Sequence, residues 1–414
     1  MFSRPYLTVT AGFGLRSLSL SVLVVLLARA FGPSEFGGYA VSVSLASFIA
    51  TFNGLGAGPL HVRDVAQGRR TYPESRDLVA RRVLVWLLPL AIIALACGWF
   101  LVPHNVNPAA VALIVLGELL YYVATDLAMR VMQARERYAR MTIALSAPSM
   151  LRVLIAIPLL LTHTLNLAAW ALVSTGTGAA FCCIVFGAWA WRTRTNSHTH
   201  TPLFQESVSG LGFAVANASS RIHGDADKVI LARMVSTSMA GVYTPAYRLV
   251  EVFLLPISAG VEWLLPSLFR QGRQGFGRSL RSSIGKIALT LLYASALCVG
   301  VYAASFVLPL LLGRAYAETV PIAHALALMP LTMTCWVIVR TLAATSGHER
   351  SAGVVELVGA VFNIVVTIAL VAAWSWRGAV AATYLTQLAM VAGYILYIAW
   401  RSHRHDASKT KDPA

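Results

Sequence analysis

Twelve apolar runs of about twenty residues follow one another along the chain, and that pattern alone excludes most folds. A backbone surrounded by hydrocarbon finds no water for its N–H and C=O groups, so each run must satisfy them internally as a helix. About 20 helical residues span a hydrocarbon core of ~30 Å. The runs lie at 7–31, 37–58, 83–102, 109–130, 142–161, 167–191, 209–233, 239–269, 284–312, 318–345, 352–374 and 378–400. Hydrophobic residues make up 57% of the chain and charged residues 12%, and mean hydropathy is +0.68. Too little polar surface remains to clothe a soluble core. The fold class is an all-α integral membrane protein. The seventh run is the most polar, holding Asn217, Arg221, His223, Asp225, Asp227 and Lys228. The first run carries Arg16 in its middle and has no small-residue cleavage site after a short core, so it is expected to stay in the protein.

A net charge of +16 invites a nucleic-acid reading, but the distribution of the 33 basic residues argues against it. Alternate connections between runs hold 22 of them on one side and two, Arg314 and Arg377, on the other. The positive-inside rule makes the richer side cytoplasmic, with both termini there and an even number of spans. Basic loops of this kind also attract anionic headgroups. No extracytoplasmic connection exceeds about ten residues in this reading, which leaves no room for a folded outer domain. The cysteines, Cys97, Cys182, Cys183, Cys298 and Cys335, all lie in apolar runs and behave as small buried hydrophobes. The histidines at 198, 200, 403 and 405 have no partner ligands at fixed spacing, and neither metal nor cofactor is expected.

Leu27-Ala28-Arg29, with Gly37 and Tyr39 after it, returns 204 positions later as Leu231-Ala232-Arg233, with Gly241 and Tyr243. A second echo pairs Arg130 and Glu136-Arg137 with Arg340 and Glu349-Arg350. The chain therefore reads as two six-helix lobes of the same topology, related by a pseudo-twofold axis along the membrane normal, around a central cleft. The expected domains are an N-lobe at 1–191, a cytoplasmic linker at 192–208, a C-lobe at 209–400 and a cytoplasmic tail at 401–414. The tail is polar and is expected to be disordered.

Nine basic residues fall inside or at the ends of the runs: Arg16, Arg29, Arg130, Arg152, Arg221, Lys228, Arg233, Arg248 and Arg340. Facing lipid would cost each a few kcal/mol or more, so they need an interior partner or a wet cavity. Arg16 sits ~13 Å into the first run. The 204-residue shift sets it opposite Ser220, and Arg221 opposite Ser17. Asn217, Arg221, Asp225 and Lys228 share one face of a helix, which is either a self-neutralising ladder or an anion-binding cavity wall. In the second reading Arg221 or Lys228 binds the anion and Asp225 or Asp227 is the switchable counter-charge. Glu118, Tyr122, Asp126 and Arg130 repeat the spacing in the fourth run, where an Asp126–Arg130 pair is expected. Arg248 and Glu251 admit both readings equally. Arg152 has no acidic residue within four positions, so its partner comes from another helix or from substrate.

An ordered set of motifs runs Leu27-Ala28-Arg29 to Gly32-Pro33, Glu35-Phe36-Gly37, Tyr39, Gly54-Leu55-Gly56, Arg63-Asp64, Asp227-Lys228, Leu231 to Gly241, Tyr243, Tyr247-Arg248, Pro266, Leu312-Gly313 and Tyr316. That set resembles the multidrug/oligosaccharidyl-lipid/polysaccharide (MOP) flippase superfamily, specifically the Wzx-type polysaccharide exporters. The resemblance implies flipping of an undecaprenyl-pyrophosphate-linked oligosaccharide, an O-antigen or exopolysaccharide unit, across the bacterial inner membrane by alternating access. Arg16, Arg221, Lys228, Arg248 and Arg152 would line the cationic cleft. Asp225, Asp227, Glu251 or Glu262 would carry ion coupling. Polysaccharide polymerase and chain-length machinery would be the protein partners. A multidrug exporter of the same superfamily should show acidic residues in the first lobe's cleft, yet the first two spans offer only Glu35 in their connecting turn. A polyprenyl-dependent glycosyltransferase or polymerase should show acidic motifs or a large outer loop, and neither is visible.

Overall fold

The computed structural model describes the backbone of residues 4–192, 203–272, 276–345 and 349–409, and side chains over 10–190, 208–257, 284–342 and 354–397. Glu262 and Pro266 lie outside the described side chains, and linker residues 193–202 lie outside the described backbone. All twelve apolar runs fold as helices, and the described residues contain no strand. In order the helices are α1 (Arg4–Ala50), α2 (Ala57–Ala66), α3 (Tyr72–Leu101), α4 (Pro108–Gln133), α5 (Tyr138–Leu161), α6 (Leu167–Arg192) and α7 (Leu203–Met234). They continue as α8 (Thr237–Gly272), α9 (Phe276–Ser305), α10 (Leu308–Leu312), α11 (Thr319–Ala325), α12 (Met329–Thr345), α13 (Glu349–Trp374) and α14 (Trp376–Lys409).

Helix α1, at 47 residues, would be ~70 Å long if it were straight, more than twice the membrane core. It breaks at Gly32 (φ 71°, ψ 172°) before Pro33, so its two limbs are the first and second spans. Eight of the described helices are long and apolar enough to cross a membrane, and a ninth span arises from Arg314–Ala325 and Met329–Leu342, bent by 48°. With α1 counted as two spans, α7 and α8 complete the twelve by length. Helix α7 lacks the apolar composition because its ionic ladder occupies the middle.

Two expectations about helix ends are corrected. Helix α3 starts at Tyr72, eleven residues before the apolar run, because the Thr71 N–H is capped by Glu74 Oε2 at 3.3 Å. Arg76, Arg81 and Arg82 are thus helical rather than loop residues. The polar tail does not break at Arg401; α14 runs on to Lys409, since no Gly or Pro interrupts it and Arg, Ala and Lys favour helix.

The chain divides into two compact units, one of residues 1–248 and 307–319, the other of 249–306 and 320–414. In the first, α1 packs on α4, α5 and α7, and α4 packs on α6. Tyr316 is buried there against Phe36, its hydroxyl donating to the Ala28 carbonyl at 2.9 Å. In the second, α13 packs on α14, and α12 packs on α9 and α14. Trp336, Met390 and Tyr394 form its described core cluster.

Candidate functional site

Helical spacing builds the site from the polar face of α7. Lys228 Nζ lies 2.8 Å from Asp225 Oδ1, one turn away on the same helix. Asp225 also accepts from two hydroxyls of the second limb of α1, Ser44 at 3.2 Å and Ser47 at 3.3 Å. Those serines are three residues apart and so share a face. Lys228 Nζ is 4.8 Å from the centre of the Tyr247 ring. Asp227 is buried beside Tyr243. The anchored carboxylate therefore has three donors, and Arg221 adds only a loose contact, 4.0 Å from Asp225 with 46% of its side chain exposed.

Arg221 instead turns towards α4, its guanidinium 5.9 Å from the centre of the Tyr122 ring. Arg16 lies on the first limb of α1, and α1 packs against α4. Arg16 Nε is buried without a hydrogen-bond partner, and among the described residues no carboxylate comes within 4 Å of its guanidinium. Asp126 pairs with Arg130 at 3.3 Å, as the spacing predicts. Arg221 and Arg16, from separate parts of the chain, thus carry incompletely neutralised charges. Planar guanidinium groups held this way can each give two parallel hydrogen bonds to a phosphate or carboxylate.

The other sequence-derived candidates have different fates. Arg152 is 1% exposed and bound to Glu118, itself 2% exposed, at 2.8 Å. Thr177 and the Ser174 carbonyl accept further hydrogen bonds from it at 3.1 and 3.4 Å, and the Tyr121 ring lies 4.1 Å away. Its partner comes from another helix, and its charge is consumed within the α4, α5 and α6 packing. Arg248 is half-buried on α8, immediately after Tyr247, and Glu251 is half-buried three residues further on. In the second unit Arg340 lies 3.6 Å from Glu356, which also accepts from the Tyr394 hydroxyl at 2.9 Å.

Sequence reasoning overlooked Ser44, Ser47 and Tyr122 as members of the site. Small hydroxyls one turn apart in an apolar run were the available signal for the serines, while the four-residue spacing of Glu118, Tyr122, Asp126 and Arg130 was the signal for Tyr122. It also placed Arg82 in a loop, where the structure buries it against the carbonyls of Gly54 and Leu55.

Residues 7–270 match the family described as polysaccharide biosynthesis protein. No curated protein matches the chain. Among solved structures it is similar to the lipid II flippase MurJ in an inward closed conformation, with 13% identity, a TM-score of 0.68, and 93% of this chain and 87% of that chain covered. It is also similar to the MATE multidrug transporter DinF-BH, with 16% identity, a TM-score of 0.63 and coverage of 95% and 94%. A MOP superfamily transporter from Pyrococcus furiosus, described as having a binding pocket of reverse polarity, shares 11% identity at a TM-score of 0.62, with 96% and 95% covered.

Proposed function

The chain belongs to the polysaccharide biosynthesis protein family and has the fold of MOP superfamily transporters, and from that premise we propose that it flips a polyprenyl-pyrophosphate-linked oligosaccharide across the bacterial inner membrane. The observation that carries this reading is the half-exposed Arg221 guanidinium beside the Tyr122 ring, together with Arg16 in the first limb of α1, whose Nε is buried without a hydrogen-bond partner. A diphosphate brings several acceptor oxygens and at least two negative charges to a membrane interior that otherwise excludes them. The two guanidinium groups supply charge-assisted hydrogen bonds to it, and Lys228, shared with Asp225, adds a third cation at the edge of the patch. The Tyr122 ring offers an apolar face with a polar tip, which suits a sugar. The polyprenyl chain needs no protein cavity because hydrocarbon already solvates it. No bond of the substrate is made or broken; the residues bind, orient and release. Arg248 is proposed to line the same path, with Asp225 or Asp227 as the counter-charge that yields when substrate binds.

Cells lacking the protein should accumulate a polyprenyl-linked oligosaccharide in the inner leaflet. Restoring the native chain should clear that pool, whereas Arg16→Ala or Arg221→Ala should insert normally and leave it in place. An unchanged pool in the deletion strain refutes the substrate assignment, and full clearance by both arginine variants refutes the cationic patch.

A further inference from the structure

A groove of about 230 Å³ lies between the C-terminal end of α3 and the N-terminal end of α4, within the first unit. That is less than the ~300–1,000 Å³ of pockets that take in drug-sized molecules. Its floor is buried and apolar, formed by Val102, Val106, Val111 and Val115 with Gly98. A Cβ on Gly98 would lie 3.3 Å from Val115 and 3.8 Å from Val111, so glycine there lets the two helices meet at the floor. Leu95, Trp99, His104 and Ala112 form an exposed rim. Leu95 to Val102 on α3 and Pro108 to Val115 on α4 each run ~10 Å along a helix axis. The groove is a slot, long enough for a stretch of extended chain and too small for a folded headgroup.

Its place in the membrane and its charge decide what reaches it. Both helices are long and apolar enough to cross a membrane, and the distribution of basic residues sets the connection at 103–107 on the extracytoplasmic side. Leu88, Ile92, Leu95 and Trp99 are exposed and follow one another at helical spacing along α3. That stripe leads into the slot, so the slot opens onto the face that hydrocarbon covers. Trp99 and His104 pack edge to face at the rim, with ring centroids 4.9 Å apart, and amphipathic rings of this kind settle at headgroup depth. From Leu95 to Val115 there is no Asp, Glu, Lys or Arg. An anionic headgroup finds no cation to pair with on these segments, and a charge drawn out of water without a partner is penalised. A lipid whose headgroup carries no net charge meets no such penalty.

We infer that this slot holds one acyl chain of a zwitterionic phospholipid of the outer leaflet, with Trp99 and His104 against its headgroup. The inference does not depend on what the protein transports. The full chain in detergent is exchanged with an equimolar mixture of phosphatidylethanolamine, phosphatidylglycerol and undecaprenyl phosphate, and the lipids it retains are counted by native mass spectrometry. The native chain should retain a copy of phosphatidylethanolamine whose occupancy falls several-fold in Ala112→Trp, which fills the slot from its rim. Leu88→Trp, on the same stripe of α3 but outside the slot, should keep that copy. Ala112→Ile adds less bulk and decides the matter where Ala112→Trp does not fold. Equal retention by the native chain and the Ala112 variants overturns the inference, and so does an equal loss in Leu88→Trp. A slot-dependent copy that is phosphatidylglycerol or undecaprenyl phosphate overturns it as well.

Discussion

Arg152 and Arg221 have the same side chain at similar depth in apolar sequence, yet they do different work because their surroundings differ. Arg152 and Glu118 are both sealed within α4, α5 and α6. Removing one partner strands a buried charge, so Arg152→Ala should cost on the order of 3–5 kcal/mol. Replacing both with methionine should recover most of that loss, because desolvating the pair offsets much of its attraction. Melting temperatures in detergent compare the three proteins, and equal losses for the single and double variants would rule out the ion-pair account. Arg221→Ala, at a half-exposed side chain 4.0 Å from Asp225, should change stability by less than about 1 kcal/mol. His61, on α2 outside the spans, is buried with Nδ1 2.7 Å from Ser75 Oγ and Nε2 unpartnered. Burial, reinforced by the Arg76 charge and opposed by Asp64, pushes its pKa down from 6.5 to about 4. The unfolded chain therefore takes up the proton first, so the contribution of His61 is complete above pH 6.5 and is lost as pH falls towards 4. The native protein should lose melting temperature across that window more steeply than His61→Gln; parallel profiles would show that the ring stays neutral for another reason or not at all. The charge at Arg221 and Lys228 was legible from spacing alone. The partner of Arg152 was not, because Glu118 lies 34 positions away on a different helix.

At the level of single elements, a backbone angle decides how α1 crosses the membrane. Gly32 sits at φ 71° and ψ 172°, a region essentially reserved for glycine. A Cβ there would touch nothing within 4 Å, so any cost of Gly32→Ala comes from the backbone rather than from crowding. That cost should be about 1–3 kcal/mol, read as lowered thermal stability. An unchanged melting temperature would mean that the limbs can join at a different angle. The apolar runs on either side of Gly32 were evident in the sequence, as was the need for a turn between them. That the turn between them rests on a single positive-φ residue, Gly32, with helix on either side, was not. Helix α7 teaches the converse. Its composition argued against a span, and only the 204-residue repeat called for one. The structure forms it over Leu203–Met234 because its charges are met by Ser44, Ser47 and Tyr122 from neighbouring helices rather than by lipid.

For the whole molecule, the asymmetry of basic residues makes a prediction that needs no site. Green fluorescent protein fused to either terminus should fluoresce, and alkaline phosphatase inserted in the connection at 103–107 should be active, because all three follow from the 22-to-2 distribution of Lys and Arg. A silent terminal fusion would reverse or break that topology. The sequence by itself determined the class of solvent, the approximate limits of the membrane-crossing helices and the faces on which charges lie. These are properties of hydropathy and of the 3.6-residue period, and both act within one segment. Only the tertiary structure decided which charges remain available. Arg152 is consumed by Glu118, Arg82 is spent on the left-handed turn at 54–56, Arg221 is left beside the Tyr122 ring, and Arg16 Nε is left without a hydrogen-bond partner. The physical reason is that neutralising a charge in a medium of low dielectric depends on contacts of a few ångströms between helices distant in sequence, and local periodicity carries no record of them.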